Sequence, residues 1–451
     1  MATSGTQHIV LVGGGYIGMY TALRLQRKLR RGEARVTVID PQSYLTYQPF
    51  LPEAAAGSLE PRHVVVPLRR VLRRCTVLTG TVTRIEHGRR RVTMQPMDGP
   101  PRELSYDQIV VAPGSVARTL PIPGLRERAV GFKTIEEAIY LRNWVLARLD
   151  LAATTDDPQV RRRALSFVFV GGGYAGIEAF AELQDMAAGA LRYFEGIAVP
   201  DMRWVLVEAT GRILPEVSRE LSSYTAQRLT ERGMEVHLNT RLVSCVGGQV
   251  VLDDGTEFAA QTVVWTAGVR ANPVLANSDL PRDERGRLPC NPQLQVIGAD
   301  DNPVAGAWSA GDCAAVPDLS QPGQLCGPSA QHAVRQARTL GDNLAAAMRG
   351  RALATYRHAY VGSVASLGLH KGVAEVYGIK LRGYPAWLMH RSYHWSRVPT
   401  VNRKFRVGLD WALALFFRRD LVSLGQLQNP RWALQSATAA SAQHENGAQT
   451  S

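Results

Sequence analysis

Two stretches of this chain are versions of one pattern: HIVLVGGGYIGMYTALRL at 8–25 and LSFVFVGGGYAGIEAFAEL at 165–183. In each, an apolar run meets G-x-G-x-x-G and passes directly into a helix-period pattern, the context that gives this glycine motif meaning. The glycines are Gly13, Gly15 and Gly18 in the first copy and Gly171, Gly173 and Gly176 in the second. The first of each trio permits a tight turn, the second lets backbone approach a pyrophosphate, and the third lets helix and strand pack closely. The helix start then offers unpaired N–H groups to the phosphates. A second strand in each unit should end in an acid that accepts from ribose hydroxyls, and ARVTVID ends in Asp40 while MRWVLVE ends in Glu208. A single glycine motif can be an ordinary turn. Two copies, each followed by a strand ending in an acid, predict an α/β chain with two Rossmann-like units and two dinucleotides.

Three further stretches suit such a pair of units. YDQIVVAPGS (106–115) reads as a strand running into a turn at Gly114, and TVVWTAGVRAN (262–272) repeats the idea with Gly268. WSAGDCAAV (308–316) places Asp312 after a glycine at the end of an apolar strand. There a carboxylate can accept from the ribityl hydroxyls of a flavin, although an aspartate after glycine is also a common helix cap.

Composition limits the remaining possibilities. A chain of 451 residues, 45% of them apolar, suggests two or three domains, and no apolar run approaches the ~18 residues that would span a bilayer. The start, MATSGTQHIV, has neither the basic nor the apolar segment of a secretory signal, so a cytoplasmic location is expected. Five cysteines, Cys75, Cys245, Cys290, Cys313 and Cys326, stand singly without C-x-x-C or metal-ligand spacing, which argues against a zinc or iron–sulfur centre. The net charge of +13 calls for an acidic partner or surface, either nucleic acid or anionic lipid.

With these features the chain resembles the type II NADH dehydrogenases, single-subunit NADH:quinone oxidoreductases of the pyridine-nucleotide disulfide reductase superfamily. The resemblance covers roughly residues 8–430. It rests on the doubled VGGGY-x-G motif, YQPFLPEAAAGSLEPRHVVVPLR (47–69), VLVEATGRILPE (205–216), WTAGVRAN, WSAGDCAAV, PSAQHAVRQA (328–337) and the aromatic, basic C-terminal region. It implies an FAD domain from 1–120 and 270–350, an NADH domain from 121–269 and a membrane-associating region from 351–433, with a disordered tail at 434–451. By the same likeness Gly13, Gly15, Gly18, Asp40, Gly114 and Asp312 hold FAD, and Gly171, Gly173, Gly176, Glu208 and Gly268 hold NADH as substrate. Glu178, read as lying in the first turn of the second motif's helix where the first copy has Tyr20, matches a glutamate beside the nicotinamide and flavin rings. An acid there also suits the helix dipole alone. The quinone-side motif A-Q-x-A-x-Q is met by Ala330, Gln331 and Ala333, but Arg335 stands in the second glutamine's place and Gln336 follows it. Gln331 is then the candidate partner of a quinone carbonyl, with His332 and Arg335 as possible sources of charge or a proton. The implied reaction passes a hydride from NADH to flavin and two electrons on to a membrane quinone, without proton pumping. Sulfide:quinone oxidoreductases share the scaffold but use a cysteine pair on the acceptor side, and this chain has no cysteine between Cys75 and Cys245.

Charge is concentrated near the end of the chain. From Lys380 to Asp420, nine basic residues face only Asp410 and Asp420, a net +7 of the total +13. Tyr384, Trp387, Tyr393, Trp395, Phe405, Trp411, Phe416 and Phe417 are interleaved, the mixture expected of a helix lying on an anionic bilayer. Helical spacing puts Phe405, Leu409, Ala412, Leu413 and Phe416 in one stripe, with Arg403, Asp410 and Arg418 on the far side. The stripe could instead pack on the protein's own core or form a homodimer surface. No nucleic-acid motif accompanies the charge. The expected site of action is the cytoplasmic face of the cell membrane, held peripherally. Two other functions fit the same features: a soluble NADH-dependent reductase of a small acidic redox protein, and a flavoprotein that senses NADH without turnover.

Overall fold

The apolar runs before the two glycine motifs become central strands of two separate sheets, because both their faces are covered and parallel neighbours satisfy their backbone. The structure, a computed structural model, describes residues 6–358, 361–417, 419 and 421–423. In the first sheet Gln7–Val12 lies between Gln108–Val111 and Ala34–Asp40, all parallel. Pro303–Ser309 adds in parallel beside Gln108–Val111, so the chain returns late to complete the sheet it began. An antiparallel meander, Thr76–Glu86, Arg91–Pro96 and Arg102–Ser105, forms the other edge of this eight-stranded sheet.

The second sheet has five parallel strands, with Ser166–Val170 between Thr262–Trp265 and Arg203–Glu208. Val205, Leu206 and Val207 are fully buried, and Glu208 ends their strand at its edge. The two units are stitched where the chain crosses between them. Ser115–Ala117 pairs antiparallel with Val269–Ala271, immediately after Gly114 and Gly268 respectively.

Beyond the nucleotide units a three-stranded antiparallel sheet, Gly362–Ser366, Gly372–Val376 and Ile379–Arg382, is followed by helices Tyr384–Arg397 and Val401–Phe416. The last helix is capped by Thr400, whose hydroxyl accepts from Arg403 N at 3.2 Å. Its stripe faces outward: Phe405 is 70% and Phe416 83% exposed, and Leu409, Ala412 and Leu413 are exposed with them. The opposite side packs on the protein through buried Val407 and through Asp410, which accepts from Glu60 N and lies 2.6 Å from His63 Nδ1. Packing of the stripe on the chain's own core is therefore not what the fold does.

Not all of the charge and aromatic side chains gathered in the C-terminal region face outward. Lys380 and Arg382 share the exposed Glu220 carboxylate, Arg391 pairs with buried Glu53, and Arg419 with Glu182 and Asp185, so four of the nine basic residues are engaged by acids of the protein itself. Trp387 and Trp411 are not interfacial either. Their rings clasp the Arg391 guanidinium at 4.1 and 4.8 Å, and Trp411 Nε1 donates to the same Glu53 oxygen that Arg391 reaches. A buried carboxylate needs such partners, and the nearest side chains able to supply them come from this region. Arg418, Asp420 and the tail at 434–451 lie outside the described residues.

Candidate functional site

The duplicated motif is reproduced atom for atom at the backbone. Gly13 N donates to Ile39 O at 2.8 Å and Gly171 N to Val207 O at 2.9 Å, which ties each glycine turn to the strand ending in the acid. One residue on, Gly14 N donates to Asp40 Oδ2 at 2.6 Å and Gly172 N to Glu208 Oε2 at 2.6 Å. The second carboxylate oxygen is met two residues past each acid, by Gln42 N on Asp40 and by Thr210 N on Glu208, both at 2.7 Å. Both Asp40 oxygens keep a further lone pair for a hydroxyl donor, as does Glu208 Oε2, whereas Glu208 Oε1 also accepts from Thr210 Oγ1 at 2.7 Å. Burial raises the Asp40 pKa, opposed by the Gly14 and Gln42 hydrogen bonds.

The glycines divide into structural and open positions. A Cβ on Gly13 would collide with Ala112 O, and one on Gly18 with Gly13 O; Gly171 and Gly176 are blocked in the same way by Thr266 and by Gly171 O. Gly13 and Gly171 also have φ of 103° and 114°, the left-handed region. By contrast a Cβ on Gly15 or Gly173 would meet no protein atom within 4 Å. These are the second glycines of each trio, N-caps of helices Tyr16–Lys28 and Tyr174–Ala190 with no side chain capping them. Open space in front of uncapped N–H groups fits a dinucleotide pyrophosphate in both units.

Asp312 lies in a short turn, Gly311–Cys313, at the end of the late strand of the first sheet. Its Oδ2 accepts from Ser115 Oγ at 2.7 Å, and Lys133 Nζ reaches both Ser115 O and Ser115 Oγ at 2.6 and 2.7 Å. Burial lowers the Lys133 pKa, with Asp312 and then Glu137 opposing it. Gln336, fully buried, accepts from Gly311 N at 2.8 Å and fixes the same turn. Gly114 and Gly268, at φ of 71° and 90°, stand beside the crossing strands. Ser115 and Lys133 carried no sequence signal. Gln336 did: Ala333, Ala337, Leu340 and Leu344 are the buried stripe of helix Ala330–Ala347, and Gln336 falls on it while Arg335 does not. Arg335 instead donates to Gln331 O at 3.1 Å.

Glu178 is not in the first turn of its helix, which begins at Tyr174 and has no acid there. It lies a turn deeper, where the dipole effect has faded, so the dipole explanation fails. Its Oε1 accepts from Ser366 N at 2.9 Å and stands 3.0 Å from His390 Nε2, both in the C-terminal region. Burial pulls the His390 pKa down, but the Glu178 carboxylate beside it, then Glu53 and Glu182, outweigh it and raise the value. His390 stacks edge-on against His394, whose carbonyl accepts from Tyr47 OH at 3.1 Å. Gln331 Nε2 donates to Gly362 O at 2.8 Å, and His332 Nδ1 lies 2.8 Å from Tyr356 OH. Glu178 and Gln331 thus hold opposite ends of one strand, Gly362–Ser366, which at the usual rise puts their backbone partners about 13 Å apart.

The sequence profile of the pyridine nucleotide-disulphide oxidoreductases matches residues 6–337. Among curated relatives, a type II NADH:quinone oxidoreductase of Staphylococcus aureus is 29% identical over 409 residues, covering 89% of this chain and 96% of its own. A demethylphylloquinone reductase of Synechocystis is 29% identical over 91% of this chain and 96% of its own, and a probable NADH dehydrogenase of Dictyostelium discoideum is 27% identical over 92% and 91%. Among solved structures, NDH2 of Plasmodium falciparum in complex with NADH superposes with a TM-score of 0.84 at 17% identity, over 92% of this chain and all of that one. The sulfide:quinone oxidoreductase of Aquifex aeolicus gives 0.68 at 16% identity, over 92% and 96%. These two share the fold. Since the family profile spans most of the sequence, from before the first glycine motif to the middle of helix Ala330–Ala347, the chain belongs to the pyridine nucleotide-disulphide oxidoreductases.

Proposed function

We propose that this protein is an FAD-dependent NADH:quinone oxidoreductase that works from the membrane surface without pumping protons. The observation that carries the reading is the paired geometry of Gly14 with Asp40 and Gly172 with Glu208, each beside an open second glycine, in two units stitched together at Gly114 and Gly268. The names of its quinone-reducing relatives support the same activity. FAD, when bound, supplies the chemistry of accepting a hydride from NADH and passing two electrons to a quinone. Gly13, Gly15, Gly18 and Asp40 hold one nucleotide half and ribose, while Asp312, kept in place by Ser115, Lys133 and Gln336, accepts from ribityl hydroxyls. Gly171, Gly173, Gly176 and Glu208 hold NADH. The Arg212 guanidinium donates to Val217 O at 3.3 Å and to Pro215 O, so it is occupied away from the acid and leaves Glu208 unopposed toward a 2′-phosphate.

Glu178 and His390 form a buried pair able to hold a proton for quinone reduction, and Gln331 lies on the acceptor side through Gly362. No described helix is long and apolar enough to cross a membrane. We place the protein peripherally on the cytoplasmic face, where NADH is available, with the stripe of Val401–Phe416 in the lipid interface. Steady-state oxidation of NADH by the FAD-loaded protein tests this: adding a quinone should accelerate it, with one quinone reduced per NADH. NADPH as the better donor, or indifference to every quinone, would contradict the reading.

A further inference from the structure

Beside the exposed stripe, Arg62, His63, Arg70, Arg403 and Arg406 line a cavity of about 350 Å³. The residues come from the short turn Pro61–His63, the nearby helix Leu68–Val71 and the helix Val401–Phe416, so two distant parts of the chain converge on it. Arg62 pairs with Glu60 at 2.8 Å. Among the described residues no carboxylate forms an ion pair with Arg70, Arg403 or Arg406. Arg406 Nη1 approaches His63 Nε2 at 3.3 Å, while the other ring nitrogen faces Asp410 at 2.6 Å. Burial, then the charges of Arg406 and Arg70, lowers the Arg403 pKa. Like charges gathered in a concavity repel, and an anion entering it is attracted by all of them together. The guanidinium fork matches phosphate oxygens two at a time.

A helical step places Arg406 directly after Phe405, at the border of the stripe that also carries Leu409, Leu413 and Phe416. A soluble anion would use the arginines alone, whereas a lipid would use the arginines and the exposed apolar face together. We propose that this cavity seats the phosphate of an anionic phospholipid headgroup, with the acyl chains running along the outer face of Val401–Phe416. The proposal rests on the membrane reading above. It makes binding selective for a headgroup at one place rather than a response to overall positive charge.

The test is co-sedimentation of the full-length FAD-loaded protein with vesicles of phosphatidylglycerol and phosphatidylcholine, or of phosphatidylcholine alone. Flavin content and melting temperature check that each variant is folded. At about 1 kcal/mol per basic residue near an anionic surface, R403Q/R406Q should bind phosphatidylglycerol vesicles roughly 30-fold more weakly. R102Q/R126Q, which removes the same charge from exposed positions elsewhere, should stay close to wild type. Equal losses in the two double variants would mean bulk charge and overturn the site. Inorganic phosphate at matched ionic strength should release bound protein more readily than chloride. Phosphate that saturates the protein yet leaves vesicle binding unchanged would mark a free-anion site and overturn the headgroup assignment. A wild-type protein that binds no vesicle at low salt overturns the membrane reading itself, which is a different outcome from wild-type binding that R403Q/R406Q leaves intact.

Discussion

Replacing Gly173 by alanine separates the two roles that glycines play in the second motif. The added methyl meets no protein atom within 4 Å, and the Gly173 backbone is in an extended conformation that alanine adopts freely, so the fold should tolerate it. The same change at Gly176 drives a methyl into Gly171 O and should cost the packing of helix on strand. The space in front of Gly173 is what the account assigns to the NADH pyrophosphate. Losing one or two hydrogen bonds to a charged phosphate, at about 2–4 kcal/mol in total, weakens binding roughly 30- to 900-fold. The assay is rapid mixing of the FAD-loaded G173A protein with NADH, reading the NADH dependence of flavin bleaching. FAD content and melting temperature should stay close to wild type. An unchanged NADH dependence refutes the reasoning, as does loss of FAD, which would mean that the two units are assigned the wrong way round.

Glu208→Gln should narrow the preference for NADH over NADPH by at least roughly 10-fold, because a neutral side chain no longer repels the 2′-phosphate; kcat/KM ratios for the two donors measure it. Arg391→Ala leaves Glu53 buried without its guanidinium and should destabilise the protein by about 3–5 kcal/mol in denaturant titrations, with Trp411 fluorescence among the signals that change. The raised pKa of His390 means that the charged pair with Glu178 stabilises the fold fully below the ordinary histidine value and that this contribution is lost as pH rises through the higher folded value. The melting-temperature gap between wild type and His390→Gln should therefore shrink as pH is raised above about 6.5, and a gap that is constant or widens would count against the charged pair.

What the sequence made legible was the part of the fold governed by local rules. A glycine that must adopt positive φ, a glycine that must let a helix touch a strand, and an acid at a strand end are all readable one residue at a time, and Gly13, Gly18, Asp40 and their second-copy equivalents occupy those positions. Contacts between distant segments were not readable. Glu53 stands in a stretch that drew notice only as a resemblance, with no role for the acid itself, yet it is the buried anchor for Arg391 and Trp411 more than three hundred residues later. The basic C-terminal region looked like one charged surface, yet four of its nine basic residues pair with acids that lie in other elements, while Arg403 and Arg406 line a cavity. Deleting the chain from Gly383 would accordingly remove His390 from Glu178 and Arg391 from Glu53, and so would disturb the earlier segments that hold these two acids. Singly scattered cysteines also concealed a grouping: the ligand atoms of Asp318, Cys326 and His332 lie within 4.8 Å of one another.

The central claim is that electrons pass from NADH through one flavin to a quinone on this chain, and an anaerobic titration of the flavin absorbance tests it most directly. One equivalent of NADH added to the FAD-loaded protein should bleach the flavin bands, and one equivalent of quinone should then restore them, with NAD⁺ and quinol recovered in equal amounts. Bleaching by NADH without recovery on adding any quinone would contradict the account and leave only a reductase of some other acceptor; no bleaching at all would contradict the assignment of both nucleotide sites.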